Sequence, residues 1–185
     1  MLALGLAASA QESSKGGFEK QDWYVTGTAG YNSIEAEDTD ISNYTFSPSA
    51  GYFITDHISL ELGLIVGGST SESFGGEISS TQFGGSLVGN YYFTPKNDFS
   101  FVIGAGLSYA SGAIEFDGID AGDMNTFALA VAPGINYFVS ERLALRASVG
   151  ALSYVNMDSD GSPSTSSFGL NLDLSNINFG ITYKL

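Results

Sequence analysis

Residues 51–66 read GYFITDHISLELGLIV, and this stretch decides how the chain folds. Its second half alternates between two faces, and the bulky apolar members of one face are Ile58, Leu60, Leu62, Leu64 and Val66. A period of two is that of a β-strand with one apolar face. The first half ends another such strand and turns at once, so the stretch predicts a tight β-hairpin.

The same alternation recurs from Asp22 to the last residue. Ascending strands are predicted to start near Trp23, Ile58, Phe99 and Leu143, and four descending strands alternate with them. An internal repeat supports this register: residues 135–145, INYFVSERLAL, match the quoted hairpin, and residues 90–99, NYYFTPKNDF, are a looser copy. Each copy is a strand end, a turn and a new strand.

The remaining connections are expected to be long and polar, over residues 35–43, 68–80, 111–125 and 156–167. Short turns at one end and long loops at the other are typical of a transmembrane barrel with periplasmic turns and outer loops. We therefore predict an all-β fold, an eight-stranded antiparallel up-and-down transmembrane β-barrel over residues 22–185, closed by pairing of the first and last strands.

The chemistry of the two faces predicts which one meets lipid. The polar face carries mostly Gly, Ser, Thr and Ala, which fit the narrow interior of an eight-stranded barrel. The other face carries bulky apolar residues, and its aromatic residues near strand ends form a girdle. That girdle is expected to comprise Trp23, Tyr44, Tyr52, Tyr91, Phe93, Tyr137 and Tyr183.

Composition and the N-terminus point to export. The 185 residues include no Cys, which excludes disulfides and thiolate sites, and the net charge of −14 excludes the basic stripe that nucleic acid requires. Residues 1–10 are apolar and end in Ala8-Ser9-Ala10, the form of a secretory signal remnant. Residues 11–21 are polar and are expected to form a flexible lead.

The Gly-Tyr-Phe, turn, aliphatic element at residues 51–60 resembles the recurring hairpin of the small outer-membrane β-barrel-domain proteins, the OmpA/OmpX-type and opacity-protein-like barrels. The alternation of Ile177, Phe179, Ile181, Tyr183 and Leu185 is similar to the terminal signal read by the barrel-assembly machinery, although it ends on Leu rather than Phe. The resemblance implies an eight-stranded barrel in the bacterial outer membrane.

Two local irregularities are predicted. Pro48 and Pro133 fall inside strands, where proline lacks a ladder donor, so each is expected at a bulge or an unpaired position. The last strand changes phase between Leu174 and Ile177, and one extra residue near Ser175-Asn176 would restore the register.

One charged pair is predicted inside the barrel. Glu61 and Arg146 are each the fourth residue of an ascending strand, so they lie on the lumen side at similar depth. A lone charge in that interior is costly, which favours an ion pair. We expect it to plug the lumen; a gated pore is the alternative.

Acidic residues gather in the predicted outer loops, which contain no Lys or Arg. Carboxylates there could bridge through Ca²⁺ or Mg²⁺ to lipopolysaccharide phosphates, or could simply keep the loops solvated. No metal site is firm, because residues 117–120 and 158–161 are only fragments of a calcium loop. The possible cation-binding residues are Glu35, Glu37, Asp38, Asp40, Glu115, Asp117, Asp120, Asp123, Asp158 and Asp160; Glu72 and Glu77 lie in the second loop.

The function favoured by the sequence is a structural or surface-contact role through the four acidic loops. A narrow small-solute channel is the first alternative, and a soluble lipocalin-like ligand carrier is the second. An enzyme is not expected, because the single His57 is placed in a turn at the periplasmic end. No cofactor is implied, and the expected partners are outer-membrane lipid, lipopolysaccharide, the barrel-assembly machinery and an extracellular partner.

Overall fold

The computed structural model describes residues 16–36, 39–73, 75–149, 151–161, 163–171 and 177–185, so the signal remnant and residues 11–15 of the lead lie outside it. The described residues form β-strands joined by turns and short irregular segments. The strands are β1 Trp23–Ala36, β2 Thr39–Phe53, β3 Ile58–Ser73, β4 Gly76–Tyr92, β5 Phe99–Phe116, β6 Ile119–Phe138, β7 Leu143–Val149, β8 Ala151–Ser159, β9 Thr165–Asn171 and β10 Ile177–Lys184. The described residues include no helix able to cross a membrane.

The strand pairings form a closed ring. Neighbours from β1 to β6 pair antiparallel, β6 pairs with β7, β7 with β10, and β10 with β1. β8 continues the course of β7 along β6, and β9 returns along β8 toward β10. The ten strands therefore trace eight antiparallel courses, and the predicted all-β up-and-down barrel is confirmed.

The internal repeat has a physical basis in a shared turn. Thr55 and Ser140 occupy equivalent positions, and the side-chain oxygen of each accepts the backbone N–H that opens the next strand, from Ile58 at 2.9 Å and Leu143 at 3.1 Å. In return, the carbonyls of those two residues accept N–H groups from the turn. The hydroxyl thus closes a tight turn that fixes hairpin register. We call this end of the barrel the turn end.

At the opposite end, which we call the hairpin end, the prediction of long loops is wrong. β1 and β2 stay paired to Ala36 and Thr39, and β5 and β6 stay paired to Phe116 and Ile119. Polar hairpins can extend in this way because each backbone group finds its partner across the ladder. Between β5 and β6 only Asp117 and Gly118 remain, with φ of 49° and 75°, as a type I′ turn requires.

The two faces divide as predicted. Bulky residues of the apolar face point outward; Leu62, for example, is 67% exposed, whereas Ser59 on the other face is fully buried. In β3 the outward apolar series spans Ile58 to Val66 and then gives way to Gly68, Thr70 and Glu72. Eight residue steps make about 27 Å along a strand, or about 20 Å of height at a tilt of about 40°. This outward apolar band suits lipid, and it is the reverse of what a soluble ligand carrier needs.

Residues 16–22 fold across the turn end, and we call them the N-terminal strap. The Phe18 N–H donates to the Pro95 carbonyl at 2.7 Å, and the Gly16 N–H donates to Asp98 Oδ1 at 2.7 Å. Lys184 donates to the Gly17 carbonyl at 2.9 Å and forms a 2.7 Å salt bridge with Asp22. The last part of the lead, expected to be flexible, is therefore bonded to the barrel.

Both prolines coincide with irregular pairing. The β2–β3 ladder omits Ser47 and Pro48 and resumes in the same register. Near Pro133, Gly134 lies opposite Ser148 and Val131 opposite Leu152. Three residue steps on β6 thus face four on the β7–β8 course, which contains one extra residue. These findings agree with the predicted bulge or unpaired position at each proline. The phase change predicted near Ser175-Asn176 lies outside the described residues.

Candidate functional site

The lumen near the turn end contains the two charged side chains that the sequence places inside the barrel. Glu61 projects from β3 and Arg146 from β7, and the structure brings them together, with Arg146 Nη1 at 2.8 Å from Glu61 Oε2. Their side chains are 11% and 14% exposed, respectively. At such burial the pair requires good geometry and further hydrogen bonds to offset desolvation.

Glu61 has these further bonds. Its Oε2 accepts the Tyr24 hydroxyl at 2.8 Å and the Asn90 amide at 3.2 Å, and its Oε1 accepts the Ser49 hydroxyl at 2.7 Å. Because Tyr24 has a single hydroxyl proton and donates it to Glu61, Ser59 must be the donor in its 2.8 Å bond to Tyr24. The carboxylate is thus held by groups from four courses of the barrel.

Arg146 is held between two tyrosines. Its Nη2 donates to the Tyr92 hydroxyl, and the guanidinium lies 5.7 Å from the Tyr24 ring centroid and 6.0 Å from that of Tyr92. Planar guanidinium groups suit such sites because they combine directed hydrogen bonds with contact to aromatic faces. We call Glu61, Arg146, Tyr24, Tyr92, Ser49, Ser59 and Asn90 the lumen network.

An aromatic layer lies between the lumen network and the turn end. Phe18 of the strap is fully buried at its centre, and its ring stacks on Phe53 at 4.7 Å and meets Phe138 edge-on at 4.9 Å. The rings of Tyr24 and Tyr92 lie 5.2 and 5.6 Å from Phe18 and link this layer to the network. Apolar rings and an ion pair therefore cross the lumen in succession.

Gly51 shows why the Gly-Tyr-Phe element begins with glycine. Gly51 lies opposite Tyr24 in the β1–β2 register, and a Cβ on it would overlap the Tyr24 ring. The absent side chain lets the tyrosine lie across β2 and reach Glu61. The glycine of the repeat thus positions part of the lumen network.

On the hairpin side of the ion pair the lumen widens into a cavity of about 370 Å³. Its walls are mostly small residues, with Glu61, Asn90 and Arg146 at one end. The small side chains that the sequence places inward leave this space. It adjoins the lumen network, which separates it from the turn end.

The acidic residues are spread over the hairpin end. Asp117 Oδ1 accepts the Glu77 N–H at 2.8 Å, which ties two hairpins together, and Glu115 lies opposite Asp120. Asp123, Asp158 and Asp160 are exposed on neighbouring strands or turns, as is Asp40, which lies opposite Glu35; Glu37 and Asp38 lie outside the described residues. Within the described ranges, no three His, Asp or Glu side chains stand close enough to hold a metal ion.

His57 lies at the turn end, as the sequence places it. Its Nδ1 is 2.8 Å from the Tyr92 carbonyl, and its ring stacks on Tyr91 at a centroid distance of 5.7 Å. These contacts fix the β2–β3 turn against the end of β4. They give the histidine a structural environment.

Sequence reasoning missed the aromatic layer, although a signal was present. Tyr52-Phe53, Tyr91-Tyr92 and Tyr137-Phe138 are consecutive aromatic pairs at strand ends. Because successive side chains alternate across a strand, one ring of each pair must point inward. The structure places Phe53, Tyr92 and Phe138 in the lumen. Phe18 had no such signal, because it precedes the first strand.

Comparisons with known proteins agree with this architecture. A family model described as the outer membrane protein beta-barrel domain matches residues 1–184. The structure of outer membrane protein OprG from Pseudomonas aeruginosa is similar, with a TM-score of 0.57 at 16% identity over 91% of this chain and 98% of that chain. The N-terminal barrel domain of Pseudomonas aeruginosa OprF gives 0.52 at 15% identity, over 90% of this chain and 100% of that one.

A third similar structure is Neisserial surface protein A, with a TM-score of 0.50 at 19% identity over 88% of this chain and 97% of that chain. At these identities the structures show a shared fold. The sequence matches no curated protein. The family model covers nearly the whole chain, which therefore belongs to the outer membrane protein beta-barrel domain family and lies in the bacterial outer membrane.

Proposed function

We propose that this protein is a closed, non-conducting outer-membrane barrel with a structural or surface-contact role. The observation that carries the proposal is the double closure of the lumen, by the 2.8 Å Glu61–Arg146 ion pair and by the buried Phe18 ring. A solute channel needs a continuous polar path, and here the ion pair and the Phe18 ring lie between the lumen cavity and the turn end. The rigid barrel then serves as a scaffold, and no enzymatic step is proposed.

The contact surface in this proposal is the hairpin end. In barrels of this kind the short turns face the periplasm, which places the extended hairpins outside the cell. Asp40, Glu72 and Glu77 lie side by side on three successive strands and are exposed. Connecting segments held by a rigid scaffold are where partners are usually contacted. A partner with a positively charged surface fits this end best.

Other partners belong to the same proposal. The outward apolar band contacts outer-membrane lipid, and the acidic hairpins lie at the level of lipopolysaccharide, whose phosphates they could approach through divalent cations. The C-terminal alternation forms β10, which pairs with β1 and closes the ring. That position is consistent with a terminal signal presented to the barrel-assembly machinery before closure.

Conductance in planar bilayers tests the closed barrel against the channel alternative. We expect the folded wild-type protein to give no unitary current steps in molar KCl. Arg146→Ala combined with Phe18→Ala removes a member of each closing layer and is expected to produce steps or noisy leak. Phe116→Ala, at an exposed position, serves as the matched control, and this variant should give no current steps, like the wild type. Reproducible steps from the wild type would establish the narrow channel instead.

A further inference from the structure

The outer surface of the barrel carries a groove at the height of the periplasmic leaflet. It has a volume of about 600 Å³ and extends from Phe99 of β5 across β6, β7 and β10 to β1, and its wall is almost wholly apolar. At its β1 edge, Gly27 and Ala29 leave open space beside the bulky Ile181 and Phe179 of β10, with which they pair directly. The lining residues that matter here are Gly27, Ala29, Tyr137, Leu145, Phe179 and Ile181.

The position of the groove identifies its surroundings as hydrocarbon. Ile181 lies opposite Leu145 and Phe179 opposite Ala147, two and four residues in from Tyr183 at the turn end. Four steps span about 13 Å along a strand, which stays within the half of the apolar band nearer the periplasm. Phe179 and Ile181 are 63% and 56% exposed. An acyl chain of that leaflet is the group that meets this surface.

A positively charged side chain lies at the level of the headgroup of such a lipid. Arg142 is exposed in the turn between β6 and β7, the two strands that bear Tyr137 and Leu145. Among the described residues no carboxylate lies within salt-bridge distance of it, whereas Lys184 is paired with Asp22. Exposed Trp23 and Tyr183 lie at the same level, where aromatic side chains favour the lipid interface.

We propose that this groove is a binding site for one glycerophospholipid of the periplasmic leaflet. An acyl chain lies over Gly27 and Ala29 of β1, against the neighbouring Phe179 and Ile181 of β10, and the phosphate binds Arg142 in the turn before β7. Because the surrounding lipid is also apolar, selectivity comes from close van der Waals fit along the chain and from the charge at the head.

The groove can be filled without disturbing the lumen. A Cβ on Gly27 would have no atom within 4 Å, and Ala29 is exposed beside it on the same face. Gly27→Leu/Ala29→Leu therefore puts side chains where the acyl chain would lie. Arg142→Gln removes the charge at the head. Ala105→Leu, on the outward face of β5, and Lys96→Gln, in another turn at the same end, are the matched controls.

The test is native mass spectrometry of the full folded chain in detergent, titrated with phosphatidylglycerol. We expect wild type to retain one lipid. The leucine double variant should weaken binding on the order of tenfold, and Arg142→Gln about fivefold. Ala105→Leu and Lys96→Gln should match wild type. Each protein's heat-modifiability shows whether it is folded. If the leucine double variant misfolds, the two single variants Gly27→Leu and Arg142→Gln, measured separately, test the site.

Two results would overturn the site. One is equal lipid retention by wild type and both groove variants. The other is a dimer of the wild type that Gly27→Leu dissociates, which would assign the groove to a second copy of this chain. Both outcomes leave the closed lumen untouched, because every substituted side chain lies outside it.

Discussion

The two ends of this barrel are built from the same alternating strands and yet differ in what holds them. At the turn end, side chains from six of the eight courses converge on the lumen network and on Phe18, and most of the buried core lies there. At the hairpin end, paired polar strands stand in water with few buried side chains, and the ladder itself holds them. Side-chain packing thus fixes one end and backbone pairing the other, so equivalent substitutions should have unequal effects.

The largest effect is expected from Glu61→Ala. It leaves the Arg146 guanidinium buried without its carboxylate, which should lower the free energy of unfolding by about 3–5 kcal/mol. Urea unfolding in lipid vesicles measures this. Glu72→Ala, at the exposed hairpin end, should change stability by less than about 0.5 kcal/mol. Equal losses at the two sites would mean that the ion pair adds nothing beyond ordinary surface charge.

Phe18→Ala comes next. Removing a fully buried ring from the aromatic layer should cost about 3 kcal/mol, measured by the same unfolding assay. The matched substitution is Phe116→Ala, because that ring is 44% exposed at the hairpin end and should cost less than about 1 kcal/mol. If Phe18→Ala left stability unchanged, the strap would contribute nothing to the stability of the barrel.

The smallest expected effect concerns the acidic hairpins, and it has the opposite sign. Glu72 lies directly between Asp40 and Glu77 across the ladder, and like charges in such pairs repel. Glu72→Gln should therefore raise stability by about 0.5 kcal/mol. The same substitution should weaken binding of a cationic polypeptide to cells displaying the protein, whereas Asp56→Asn at the turn end should not. If Glu72→Gln bound the cationic polypeptide as well as the wild type does, these carboxylates would not be the contact surface.

Alternation along the strands sufficed to predict the ring of eight courses, the direction of each face and the position of Glu61 and Arg146. Those features depend on a period of two, which the sequence displays directly. The hairpins were missed because polar residues were read as loops, although Asp117-Gly118 is a strong two-residue turn signal. The ties of the strap to Pro95 and Lys184 could not be predicted, because such long-range contacts leave no local pattern.

The strap also bears on the order in which the barrel forms. Phe18 packs against rings from β1, β2, β4 and β6, and Lys184 of the last strand holds Gly17. All of these partners are in place only when β10 has paired with β1, so we expect the strap to dock after the ring closes and after the folding transition state. Interactions that form after the transition state slow unfolding without speeding folding. The N-terminal residues should therefore slow the unfolding of the finished barrel. They should have little effect on how fast the barrel assembles.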